Sequence, residues 1–170
     1  MNISSLQFES HTNALLRCLH SNSDLLAHFI YFCFKAKSDK NMNINLKTVK
    51  DFPTLCSVEA EPLKKLLCEY EDNIPGKDHK RRVKSDYWYL DALVNHNKHL
   101  SNILPRVTYN LKKEDKDIYR WDFEEFTYKG AAYPKQKVFE FIKREYDRQS
   151  ELLPQIIEEV DLLNAKLFEN

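Results

Sequence analysis

The sequence predicts a mainly α-helical fold: a bundle of about four to five helices, with a small antiparallel β-meander inserted before a long C-terminal helix. Long segments on both sides of the chain's centre carry apolar residues at every third or fourth position, which is typical of amphipathic helices. One stretch, about 106–133, instead alternates and is rich in Tyr, Phe, Trp and Thr, which favours strands. With 170 residues and 42% hydrophobic content, we expect a single domain over 1–170 that buries its own core.

Two helices are predicted in the first half of the chain. The first spans about 8–37, and its apolar residues at helical spacing are Leu15, Leu19, Leu26, Ile30 and either Cys33 or Phe34. The second runs from Ser57 to about Tyr70, after a turn at Phe52-Pro53 where the proline cannot continue a helix. A third helix is predicted over about 85–104, because Pro105 stops it.

The last helix is predicted from Pro134, which suits a first helical turn, to about Phe168. Its apolar spacing defines a seam, which from Tyr146 onward follows a heptad repeat that only Gln149 interrupts. The seam residues are Val138, Ile142, Tyr146, Gln149, Leu153, Ile156, Val160, Leu163 and Leu167. Pro154 is expected to kink this helix or split it in two. The seam packs either on the first helix or on a second copy of the chain, which would make a homodimer.

Three strands are predicted between the third and last helices. They cover Arg106–Leu111, Ile118–Tyr128 and Ala131–Tyr133, and the last two are joined by a turn at Lys129-Gly130.

Composition excludes several classes of site. Only two glycines are present, so neither a phosphate-cradling loop nor a hydrolase nucleophile elbow can be built, and no cofactor is predicted. The four cysteines form no Cys-x-x-Cys pair, and neither a secretory signal nor a membrane-spanning stretch is visible. We therefore expect a cytoplasmic protein with reduced thiols that does not interact with membranes. Equal numbers of basic and acidic residues argue against a surface that is basic all over.

The candidate site lies on the third helix, which places two histidines and three asparagines in its last turns. On a helical wheel His96 points toward the core, whereas Asn95 and His99 share another face. If the protein is an enzyme, His99 is the candidate general base, Lys98 the electrostatic stabiliser and Asn95 the group that orients a phosphate. The alternative is structural: His96 is a hydrogen-bonded core histidine, and the basic residues at the helix end favour its dipole.

Two further groups of residues are candidate sites. The basic run 77–84 contacts nucleic acid or phosphate, or it is a solvated loop; the residues that would make the contact are Lys80, Arg81, Arg82 and Lys84. His96 and His99 could share a cation with His11, His20 or Asp91, but a zinc site needs at least three protein ligands and no spacing fixes a third. No metal site is assigned.

The order of elements resembles uncharacterised bacterial helical proteins that are similar to the HEPN group (higher eukaryotes and prokaryotes nucleotide-binding). The resemblance spans most of the chain: a long first helix, the Phe52-Pro53 turn, a helix that closes on Asn97-Lys98-His99-Leu100, a small sheet and a final helix. In that group the third-helix motif often reads Asp-Lys-His-Arg, and two of its four positions match here. The resemblance implies a helical bundle and pairing of two copies through helices.

Active HEPN ribonucleases carry an Arg followed four to six residues later by a His, and no arginine of this chain is followed in that way. The resemblance therefore does not carry an enzymatic role to this chain. The sequence favours a non-catalytic HEPN-like module that binds a partner protein or nucleic acid. The alternatives are a divergent metal-independent endoribonuclease of toxin or phage-defence type, centred on His99 with Lys98 or Arg82 as stabiliser, and a metal-dependent helical-bundle enzyme.

Overall fold

A computed structural model of the chain is mainly helical, with short antiparallel strands before the last helix. This confirms the predicted class in outline. The residues that the structure describes are 3–34, 43–72, 85–100, 103–109 and 119–168.

The chain divides into two compact units. The first unit contains Met1–Cys18 and Lys77–Asp147, and the second unit contains Leu19–Gly76 and Arg148–Asn170. The prediction of a single domain over 1–170 stays a prediction, and each unit is described by itself.

Five α-helices are defined within the described residues. They are α1 (Ile3–Cys33), α2 (Leu46–Lys50), α3 (Glu61–Tyr70), α4 (Asp86–His99) and α5 (Val138–Phe168). Short 3-10 turns at Pro53–Cys56 and Val58–Ala60 precede α3, so the helix predicted from Ser57 begins later than expected. The third predicted helix, α4, ends before Leu100 rather than near Pro105.

The strands form two small sheets rather than one meander. Their bounds are β1 (Arg106–Tyr109), β2 (Tyr119–Phe123), β3 (Phe126–Tyr128), β4 (Ala131–Tyr133) and β5 (Gln136–Lys137). One sheet has the order β1-β2-β5 and the other is the β3-β4 hairpin, all antiparallel. The single strand predicted over Ile118–Tyr128 was wrong, because Glu124 and Glu125 interrupt the ladder.

Two turns explain this arrangement. Lys129 and Gly130 both have positive φ, which matches the twist of the flanking strands in a tight hairpin. After the hairpin, Gln136 and Lys137 return to pair with β2, and α5 begins only at Val138. The prediction that the last helix starts at Pro134 was therefore wrong. Pro134 has no backbone N–H to give to a ladder, and it lies between β4 and β5.

In the first unit α5 buries Val138 as predicted, but after it a different stripe from the predicted one. Phe141 and Glu145 are fully buried, whereas the predicted seam residue Tyr146 is exposed. The ring of Phe141 lies 4.8 Å from that of Tyr89 on α4, which fixes this side of α5 inward. At the outer edge, Arg144 forms a two-point ion pair with Asp86 at 2.8 and 2.9 Å.

In the second unit α1 and α5 run in the same direction and pack through the seam. Gln149 lies beside Leu19 on α1, and farther along both helices Asp161 is close enough to Cys33 for its charge to affect that thiol. The seam residues that are buried in this unit are Gln149, Ile156, Val160 and Leu163. The predicted apolar residues Leu19, Leu26 and Ile30 of α1 are buried. Leu15 is exposed, and the neighbouring Leu16 is buried instead.

Gln149 does not weaken the seam, since both ends of its amide are used. Its Nε2 donates to the Leu19 carbonyl at 3.0 Å, and its Oε1 accepts from Asn22 Nδ2 at 2.7 Å. The expected split at Pro154 does not occur, because α5 continues through it. Pro154 lies on the exposed side, where water can reach the carbonyl that its ring leaves without a helical donor.

Candidate functional site

The predicted site lies on α4, which has a side-chain cap at its N-terminus and a side-chain hydrogen bond to the chain beyond its C-terminus. Ser85 accepts a hydrogen bond from the Trp88 N–H at 3.5 Å, and Asp86 places a negative charge in the first turn. At the other end, Asn97 Oδ1 accepts from the Ile103 N–H at 2.7 Å. Asn97 is thus a structural residue that ties down the chain after the helix.

His96 faces the core, as the wheel predicts. It is 9% exposed, and its ring meets Phe126 of β3 nearly edge-on at 5.5 Å and Tyr128 at 6.4 Å. Phe126 in turn stacks on Tyr133 of β4, with ring centres 4.9 Å apart. This aromatic packing between α4 and the β3-β4 hairpin places His96 in the core of the first unit.

Asn95 is held by its own helix. Its Nδ2 donates to Asp91 Oδ1 at 2.9 Å, one turn back. Burial raises the pKa of the Tyr133 hydroxyl, and the nearby charges of Asp91 and Tyr128 raise it further. The structure thus adds Tyr133 to the surroundings of Asp91 and Asn95, although Tyr133 lies far along the chain and no sequence spacing indicated it.

Lys98 and His99 are exposed at the end of α4. Among the described residues, no hydrogen bond or ion pair reaches either side chain. A shallow depression in this unit is formed by the β3-β4 hairpin and its flanks, and neither residue lines it. The roles assigned to His99, Lys98 and Asn95 therefore stay predictions. The described residues do not include Lys80, Arg81, Arg82 and Lys84. Their predicted contact with nucleic acid or phosphate therefore stays a prediction.

Within the described ranges, no three side chains of His, Cys, Asp or Glu converge on a point where they could hold a metal ion. His11 is exposed on α1 in the first unit, and the described part of that unit brings no ligand pair to His96 and His99. The described residues therefore supply no set of ligands for the metal-dependent enzyme that was the third alternative.

A second surface, not foreseen from the sequence, lies on the side of α5 opposite the seam. We call it the outer face of α5, and its residues are Pro154, Ile157, Glu158, Asp161, Leu162 and Ala165. Ile157 is 44% exposed and Leu162 is 49% exposed. The sequence did carry a signal, because both are large apolar residues at positions off the heptad seam.

The outer face combines apolar and acidic side chains. Over residues 151–165 the chain has four carboxylates and neither lysine nor arginine. No ion pair of the described residues involves Glu158 or Asp161. Burial raises the pKa of the Cys33 thiol, and the charge of Asp161, which lies near the end of α1, raises it further.

Comparisons with models of known protein families, with curated proteins and with solved structures give no match to this chain. None of the helices in the described ranges is both long enough and apolar enough to span a membrane.

Proposed function

We propose that this chain is a non-catalytic helical module, HEPN-like in its fold, that acts by binding a partner protein through the outer face of α5. The observation that carries the proposal is the placement of apolar residues on both sides of this helix. The seam side is buried within the second unit, whereas Ile157 and Leu162 on the opposite side remain in water.

Single exposed apolar residues are ordinary on protein surfaces, but a grouped set on one helical face marks interaction sites. Here one continuous surface runs along three turns of α5, and its apolar residues are Pro154, Ile157, Leu162 and Ala165. The seam, which was the other candidate for a contact between chains, is already used within the chain at Gln149 and Ile156. A partner would therefore meet the outer face.

The HEPN-like part of the proposal rests on the order of elements and on Asn97-Lys98-His99 at the end of the third predicted helix. The absent Arg–His pair supports a binding role over a catalytic one. The endoribonuclease alternative is supported by one feature, the exposure of Lys98 and His99 at the end of α4. Nucleic-acid binding through Lys80, Arg81, Arg82 and Lys84 remains the alternative partner class.

The experiment begins with tagged full-length protein purified from cells that naturally produce it. A co-purifying protein is then made pure, and its complex with this chain is reconstituted and titrated. The double variant Ile157→Ser/Leu162→Ser should weaken the complex at least about tenfold, since two apolar side chains leave the contact. The control is Val58→Ser, which removes one of the most exposed apolar side chains of the same unit.

The proposal fails if the double variant Ile157→Ser/Leu162→Ser binds the reconstituted partner as tightly as the unmodified chain and the control do. Circular dichroism and the thermal midpoint establish that each variant remains folded. Sedimentation of the chain alone decides whether the partner is a second copy, as in the homodimer predicted through the C-terminal helix.

A further inference from the structure

The outer face of α5 carries its charge at its centre, not only at its edge. Taking about 100° per residue, Glu158 projects between Pro154 and Leu162, and Asp161 lies on the side of Pro154. Any surface that covers the apolar residues must also cover Glu158. Covering a carboxylate removes its hydration, and without a cation as partner no ion pair offsets that desolvation cost.

We infer that the occupant of this face is an amphipathic helix whose apolar stripe is flanked by lysine or arginine side chains. This inference rests on the proposed function, and it adds the chemistry of the partner. The argument is charge complementarity: among the described residues, the two charged side chains that line this face, Glu158 and Asp161, are both carboxylates, and no basic side chain lines it. A helical partner fits because the exposed residues repeat at three and four positions along a helix.

The partner's cations have defined places. One basic side chain meets Glu158 in the middle of the contact, and a second meets Asp161 one turn further along. The apolar stripe of the partner packs against Ile157 and Leu162 on the two sides of Glu158. Such paired charges give specificity and a salt-dependent association rate, while the apolar contacts supply most of the affinity.

The test uses two synthetic helical peptides of equal length as probes. Both carry leucines on a heptad stripe; one flanks them with lysines and the other with glutamates. Binding to the full chain is measured by fluorescence anisotropy at low and high salt. We expect the lysine peptide to bind at least about tenfold more tightly than the glutamate peptide, and the difference to shrink at high salt.

The charge-reversal variant Glu158→Lys/Asp161→Lys should lose at least about tenfold in affinity for the lysine peptide and gain affinity for the glutamate peptide. A matched control, Asp51→Lys/Glu69→Lys, makes the same change in net charge at exposed positions of the same unit. It should bind both peptides like the unmodified chain. This control separates a local contact from the effect of overall charge.

Equal binding of the two peptides, no binding of either, or an unchanged affinity after charge reversal at Glu158 and Asp161 would each overturn the inference. So would self-association of the unmodified chain that Ile157→Ser/Leu162→Ser abolishes, because the occupant would then be a second copy. These results leave the proposed function open to its own test. A reconstituted partner that depends on Ile157 and Leu162 but not on Glu158 refutes only the charge argument.

Discussion

Replacing Gln149 by alanine should destabilise the second unit more than any other single change of a glutamine in the described part of α5. Gln149 is 3% exposed and uses both ends of its amide, one on the Leu19 carbonyl and one on Asn22 Nδ2. Two hydrogen bonds contribute about 2 kcal/mol together, at about 1 kcal/mol each. The space left by the side chain adds roughly 1 kcal/mol. We expect a loss of about 3 kcal/mol in the free energy of unfolding.

The assay is urea denaturation followed by circular dichroism, with Gln155→Ala as the control. Gln155 lies on the same helix but is exposed, so its replacement should cost under about 0.5 kcal/mol. A double-mutant cycle with Asn22→Ala should return a coupling of about 1 kcal/mol, the value of the shared bond. A cost below about 0.5 kcal/mol for Gln149→Ala, or additive effects in the cycle, would refute the assignment of Gln149 as the polar tie between α1 and α5.

Three further predictions concern α5 and α4. Pro154→Ala should raise the thermal midpoint, because the alanine N–H can donate to the Ser150 carbonyl. The expected gain in the free energy of unfolding is up to about 3 kcal/mol, and an unchanged midpoint would contradict the prediction. Arg144→Ala should cost no more than about 1 kcal/mol, since the pair with Asp86 is partly exposed, and the cost should shrink in high salt if it is electrostatic. Purified protein should leave RNA intact and His99→Ala should behave identically; cleavage that is lost in this variant would restore the endoribonuclease alternative.

The helices could be predicted from the sequence because each one buries a stripe that its own local spacing displays. Leu19, Leu26 and Ile30 mark the buried side of α1, and all three are buried as expected. The exact stripe at the start of α5 could not be predicted. There the choice between Phe141 and Ile142 depends on the ring of Tyr89, which belongs to another helix.

The sheets and the candidate site show the same limit. β5 is a strand because it pairs with β2, and a two-residue strand has no periodicity that the sequence could reveal. The wheel correctly separated His96 from His99 because both lie on one helix. It could not find Tyr133, which reaches the neighbourhood of Asp91 only through the fold of the β3-β4 hairpin.

The thiol of Cys33 offers a chemical test of the geometry on which the charge argument depends. Burial and the negative charge of Asp161 both disfavour the thiolate, so they raise the pKa of Cys33. Asp161→Asn removes the charge and keeps the shape, and the pKa of Cys33 should fall. Because the thiolate is the reactive form, the alkylation rate of Cys33 near pH 8 should rise in this variant.

Mass spectrometry resolves the reaction of Cys33 from that of Cys56, which is exposed in the same unit and serves as the internal control. The Asp161→Asn change should leave the rate at Cys56 unaltered. An unchanged rate at Cys33 would mean that Asp161 does not act on this thiol. It would contradict the placement of Asp161 near the end of α1. A faster reaction at Cys33 would instead support that placement, on which the second ion pair of the proposed partner helix depends.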